Sequence, residues 1–169
     1  MTLTVLPGDL FEQEADCLIN AWNMNFIPWW LLWPQGVSGR LKQLAGPEPF
    51  RQLARTGVMR PGTVCLTDGG KLKTPIIHAA ALNMFWRSSE SIVHCCTDAA
   101  LNLTAVKGFH SVAFPLLGSG IGGLTPSTSL EAMTRAIEIN QYSKTLDIKI
   151  ITYLNEVYDG VVVNKQEAV

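Results

Sequence analysis

Between Ser111 and Leu124 the chain passes from an apolar run straight into a cluster of four glycines, and few folds accommodate that order. Val112 to Leu117 is an apolar run of strand length, as expected of a strand buried on both faces. Gly118, Gly120, Gly122 and Gly123 follow, where the absent side chains let the backbone turn sharply and bring N–H groups against a guest. Thr125 then suits a helix N-cap and Pro126 the first helical position. Strand, glycine loop and helix start together form an anion site, because unpaired N–H groups and the helix dipole point the same way. A phosphate or pyrophosphate is the natural guest.

Two other readings fit the same residues. The glycines can be a purely structural turn. The spacing Gly118-x-Gly120-x-x-Gly123 also matches a dinucleotide fingerprint, but that fingerprint opens the first βα unit and is followed about twenty positions on by an acid. Here the unit lies late in the chain, and the stretch from Gln141 to Lys144 carries no acid.

The 169-residue chain is read as one domain spanning residues 1–169. With 47% hydrophobic and 16% charged residues it can bury a substantial core, and a net charge of −1 gives no electrostatic reason to expect nucleic acid as a partner. Cys17, Cys65, Cys95 and Cys96 lack zinc-ligand spacing and read as structural thiols in a reducing compartment. Thr2 to Leu6 is too short for a secretory leader, and the apolar Phe26 to Trp33 is too short to cross a bilayer. A cytoplasmic protein without membrane attachment is expected, with no metal and no resident cofactor.

In chain order, Leu3 to Leu6 reads as a strand, followed by Gly8, Asp9 and Leu10. Cys17 to Ala21 reads as a second strand that runs into Asn20-Ala-Trp-Asn23. Amides at a strand's carboxyl end suit ligand contacts in an open α/β sheet, or simply cap a tight bend. Trp29, Trp30 and Trp33 lie between Met24 and Gln35, as a short element over the core, an aromatic wall beside a ligand, or a partner patch. Helices are expected over Ser38 to Ala45 and Pro49 to Thr56. Val64 to Thr67 and Ile76 to Ala80 read as strands around a turn at Asp68 to Gly70, with His78 as a core histidine in preference to a base. Ser88 or Ser89 caps a long helix ended by Gly108, and another helix runs from Pro126 to about Gln141. Ile148 to Leu154 is a strand, and Val161 to Val163 an edge. This alternation predicts an α/β fold, a three-layer α/β/α sandwich with a mixed, mostly parallel central sheet.

The order of these pieces resembles the macro domain, an ADP-ribose-binding α/β/α module. Gly8-Asp9-Leu10 is similar to the family's Gly-Asp-Ile, and Asp16 to Asn23 to its Asp-Ala-Ile-Val-Asn-Ala-Ala-Asn. Gly36-Val-Ser-Gly39 is similar to its Gly-Gly-Val-Asp-Gly, and Phe114 to Gly123 resembles its Phe-Pro strand and glycine loop. The match covers nearly the whole chain, in order.

The resemblance implies that Asp9 takes the adenine amino group beside the Leu10 N–H. It implies that Leu117, Gly118, Ser119, Gly120, Ile121 and Gly122 hold the pyrophosphate, with Gly36, Val37 and Gly39 closing from the other side. Asn20 and Asn23 then lie near the distal ribose, and the register of the family's stacking aromatic falls on Leu154, with Tyr153 and Tyr158 nearby. Ser38 stands where the family's hydrolases often carry an Asp that helps activate a water. The implied function is binding of ADP-ribose or a similar nucleotide, with hydrolysis from an ADP-ribosylated protein or nucleotide acceptor through Asn20, Asn23 and Ser38. A non-catalytic reader or sensor is the alternative, and a nucleic-acid-binding module a remote third.

Overall fold

The computed structural model describes residues 2–28, 31 and 36–152. Six strands form one sheet: β1 (Thr2–Pro7), β2 (Cys17–Trp22), β3 (Val64–Thr67), β4 (Ile76–Ala80), β5 (Ser111–Pro115) and β6 (Asp147–Thr152). Their order is β1-β6-β5-β2-β4-β3, parallel throughout except for β3, which pairs antiparallel with β4. Four helices are α1 (Gly36–Ala45), α2 (Glu48–Ala54), α3 (Glu90–Val106) and α4 (Pro126–Ile139).

Strand alternation divides the core into two layers. Ile19, Ile77, Ala79, Val112, Phe114, Ile148 and Ile150 pack with Val93, Cys96 and Leu101 of α3 and Met133 and Ile137 of α4. Their neighbours Leu18, Trp22, Ile76, Ala80, Ala113 and Ile151 pack on the opposite face with Leu41 of α1 and Phe50 and Leu53 of α2. Strands buried on both faces lose the polar–apolar alternation of a half-exposed sheet, which is why they read as continuous apolar runs. The sequence-based α/β/α sandwich with a mixed, mostly parallel sheet is the observed architecture.

Boundaries shift for local reasons. Beyond Pro115 the strand expected to reach Leu117 is already loop, although Leu116 and Leu117 stay buried. The first helix begins at Gly36 instead of Ser38, and the fourth ends at Ile139, where Asn140 turns to extended backbone. The link between β3 and β4 is longer than a tight hairpin and contains a single 3-10 turn, Gly70–Leu72. Ser89 caps α3 through the Ile92 N–H, and Thr125 caps α4 through the Thr128 N–H. The Asp16 carboxylate accepts the N–H of His110 at 2.7 Å and of Ser111 at 3.0 Å, tying the start of β2 to that of β5. The His110 bond leads in holding that carboxyl below its ordinary value. Trp29, Trp30, Trp33, Tyr153, Leu154, Tyr158 and Val161 to Val163 lie outside the described residues.

Candidate functional site

The carboxyl ends of β1, β5 and β6 open into a cavity of about 500 Å3, the usual place for a ligand in an open parallel sheet. The chain leaves β1 at Pro7, and the Gly8 N–H bonds the Thr152 carbonyl at 3.0 Å. Asp9 then caps a 3-10 turn, Leu10–Glu12, its Oδ1 accepting the Phe11 N–H at 2.9 Å. Oδ2 accepts from Arg40 Nη2 at 3.0 Å. Leu10, Phe11, Val37, Pro115 and Ile151 supply apolar walls around that one ion pair. A flat, largely apolar group with a polar edge is what such a space admits.

A second cavity of about 150 Å3 adjoins it, since Gly36, Val37 and Pro115 line both. Its floor is the loop from Gly118 to Gly122. Gly123 N–H returns to the Gly120 carbonyl and Leu124 N–H to the Gly118 carbonyl, so the loop is closed on itself. No acceptor among the described residues takes the N–H groups of Ser119, Gly120, Ile121 and Gly122. These donors, ahead of the capped start of α4, suit an anion. A Cβ on Gly118 would lie 2.5 Å from Ser88 Oγ, whereas one on Gly120 meets nothing within 4 Å. Gly120 is needed instead for its φ of 54°. Ser88 also holds the loop from below, its N–H bonding the Gly122 carbonyl at 2.9 Å.

Beneath α1 runs a buried polar relay. β2 and β4 set Asn20 opposite His78, and the β3–β4 pair brings Thr67 alongside. Thr67 Oγ1 donates to the Asp68 carbonyl at 3.0 Å, so its oxygen accepts His78 Nε2–H at 3.0 Å. Nδ1 is then bare and accepts from Asn20 Nδ2 at 3.0 Å. Asn20 Oδ1 takes the Ser38 hydroxyl at 2.8 Å, a proton shared with the Ala21 carbonyl at 2.7 Å. Trp22 and Phe50 flank the imidazole edge-on, with centroids 6.3 and 5.9 Å away. Burial without a carboxylate pushes His78 down to about 3, so the ring is neutral at physiological pH. Both of its nitrogens are bonded, as suits a core histidine.

Asp9, Leu10, Gly36, Val37, Gly118, Ser119, Gly120, Ile121 and Gly122 therefore surround one continuous cleft. Leu117 lies fully buried beneath it, its carbonyl taking the Ser129 hydroxyl, and Gly39 lines neither cavity. Asn20 and Ser38 are buried and committed to the relay. Asn23 is buried too, its Oδ1 capping the Asn25 N–H at 2.7 Å, the bend-capping alternative. Leu154 lies outside the described residues; Ile151 and Thr152, at the end of β6, line the larger cavity. Arg40, Phe11, Pro115 and Ser88 were not among the site residues expected from the sequence, although Ser88 was a candidate helix cap and Pro115 lay in the strand of the motif. Arg40 carried a signal, a charge four positions after Gly36 on the same helix face. Among the described residues no cluster of His, Cys, Asp or Glu could hold a metal, and no helix is long and apolar enough to cross a membrane.

The family model described as Macro domain matches residues 19–133. A macro domain-containing protein of Listeria monocytogenes is 34% identical over 140 residues, covering 78% of this chain and 76% of the relative. An O-acetyl-ADP-ribose deacetylase of Citrobacter rodentium is 28% identical over 142 residues, covering 79% and 76%. Among solved structures, a mutant macrodomain of Oceanobacillus iheyensis with ADPR superposes with a TM-score of 0.77 at 22% identity, covering 90% of this chain and 86% of that one.

Proposed function

The chain belongs to the macro domain family, and on that footing we propose that it binds ADP-ribose, adenine in the Asp9 cavity and pyrophosphate on the loop from Gly118 to Gly122. One observation carries the reading: the two cavities share walls, so a base compartment with a carboxylate opens directly onto a row of uncommitted backbone N–H groups. A base joined to two phosphates spans that arrangement, whereas a base with one phosphate fills only part of it. Micromolar affinity, about −8 kcal/mol, is expected. Calorimetric titration with ADP-ribose, ADP and AMP tests it. Equal affinities for AMP and ADP-ribose would remove the two-phosphate loop from the argument.

Turnover of an ADP-ribose conjugate is the second reading, supported by the deacetylase name of the Citrobacter relative. His78 is neutral and enclosed, and the Ser38 proton is given inward to Asn20 and Ala21, so neither is a strong base. Attack by water then depends on its position and on the ligand's own phosphate. Release of ADP-ribose from an ADP-ribosylated protein or an acetylated ligand, measured beside the binding isotherm, separates an enzyme from a reader. We read the site of action as cytoplasmic, a reading supported by four unpaired cysteines, of which burial pushes Cys17 up to about 11 and Cys96 to about 12.

A further inference from the structure

α1 turns one charged side chain toward the larger cavity. Arg40 shares a helix face with Gly36 and Val37, and all three line the same wall. Its Nη2 holds Asp9 Oδ2 while the Phe11 N–H holds Oδ1. A carboxylate accepts more hydrogen bonds than these, and a guanidinium has further N–H groups in a fixed fork. The pair thus offers a guest an acceptor and a donor side by side, at the rim of an apolar slot.

The complementary guest is a flat ring whose edge carries a donor next to an acceptor. Adenine has that order at its N6 amino group and N7. A 6-oxopurine has two acceptors there and would set one of them against the Asp9 carboxylate. Gly36 and Val37 also line the adjoining cavity of the glycine loop, whereas Arg40, one turn further along α1, lines the base cavity alone. The Leu10 N–H beside Asp9 is taken by no acceptor among the described residues and suits N1, which leaves N7 for Arg40.

We infer that Arg40 is a specificity-determining residue, its guanidinium donating to N7 of a bound adenine while Asp9 accepts from the N6 amino group. The inference rests on the ADP-ribose reading of the cleft. It makes the site selective for adenine over hypoxanthine through a pair of side chains, and it gives the ion pair a role beyond the modest stability of exposed charges.

Calorimetry on the intact protein tests it, using ADP-ribose, its 7-deaza analogue and its hypoxanthine analogue against the parent, Arg40→Met and Arg40→Lys. Met keeps the apolar stem over the slot, and Lys keeps the charge without the fork. The parent should bind the 7-deaza analogue about tenfold more weakly than ADP-ribose, about 1.4 kcal/mol. Arg40→Met should bind ADP-ribose weaker by a similar factor and no longer distinguish the 7-deaza analogue. Arg40→Lys should recover part of the affinity but little of that discrimination. Equal binding of both ligands by the parent overturns the inference, as does a 7-deaza penalty that persists in Arg40→Met. Tighter ADP-ribose binding by Arg40→Met also overturns it, since Arg40 would then merely occlude Asp9. Failure of the folded parent to bind ADP-ribose at all overturns the ligand reading itself, and is told apart by that absence.

Discussion

Replacing Ser38 by Asp puts a carboxylate where the fold presents two acceptors. The serine hydroxyl lies 2.8 Å from Asn20 Oδ1 and 2.7 Å from the Ala21 carbonyl, with the residue 6% exposed. An ionised Asp has no proton for either. Losing the donor leaves two acceptors short, about 1–3 kcal/mol, and desolvating the charge adds several more. A net loss of about 3–5 kcal/mol is expected, against the 5–15 kcal/mol of a typical domain. Ser38→Ala removes the donor without the charge and should lose only about 1–2 kcal/mol. Urea denaturation of the three proteins measures this directly. Burial raises the new carboxyl's pKa, so its penalty is largest at neutral pH and shrinks as pH falls and the group takes up a proton. The gap between Ser38→Asp and Ser38→Ala should therefore be wider at pH 7.5 than at pH 5. One escape exists: the Asn20 amide turns over, His78 changes tautomer and Thr67 gives up Asp68. That reversal costs the Thr67–Asp68 hydrogen bond, so it reduces the loss without abolishing it. A Ser38→Asp protein as stable as the parent at neutral pH would refute the relay's assigned direction.

Three further outcomes follow from the same geometry. Gly120→Glu should abolish ADP-ribose binding in a folded protein, whereas Gly120→Ala, with open space at Cβ but a φ of 54°, should chiefly lower stability by about 1–3 kcal/mol; full binding by Gly120→Glu would dismiss the phosphate loop. Asp9→Ala should weaken ADP-ribose by about 1.5–3 kcal/mol in a titration, and unchanged affinity would remove the base assignment. His78 has a folded pKa of about 3 against 6.5 when unfolded, so the unfolded state binds the extra proton between them and stability must fall as pH drops through that window. From pH 6.5 to 4.5 the loss should reach about 2–3 kcal/mol in urea titrations, and a flat profile would show that the ring is not enclosed.

What could be read from the chain was whatever is written locally. The run into Gly118, the Thr125 cap with Pro126 and the glycine–aspartate step after β1 each announce themselves within a few residues, because turn, cap and strand preferences act at that range. The relay does not. Asn20 meets His78 only through the β2–β4 register, and Thr67 reaches it only because β3 folds back on β4. No local preference sets a register between distant strands. The same limit hid the partner of Asp9: the resemblance implied an acceptor for adenine, while the folded chain adds a guanidinium from another element. Leu117 shows the reverse case, an apolar residue of the motif whose side chain lies fully buried.

Sheet order also fixes when the cleft can come into being. Its glycine loop hangs from β5, in the middle of the sheet and beside β2. The base compartment instead needs β1 against β6, with Thr2 opposite Asp147 and Gly8 bonded to Thr152, partners nearly the whole described chain apart. Closing so long a loop is entropically unfavourable and slow. A chain still emerging from the ribosome can shape the anion loop before β6 exists, yet has no wall for a base. A molecule whose outer strand has peeled away is in the same position. Bound nucleotide should therefore clamp the β1–β6 seam, and protection of the β1 amides from hydrogen exchange should report its occupancy.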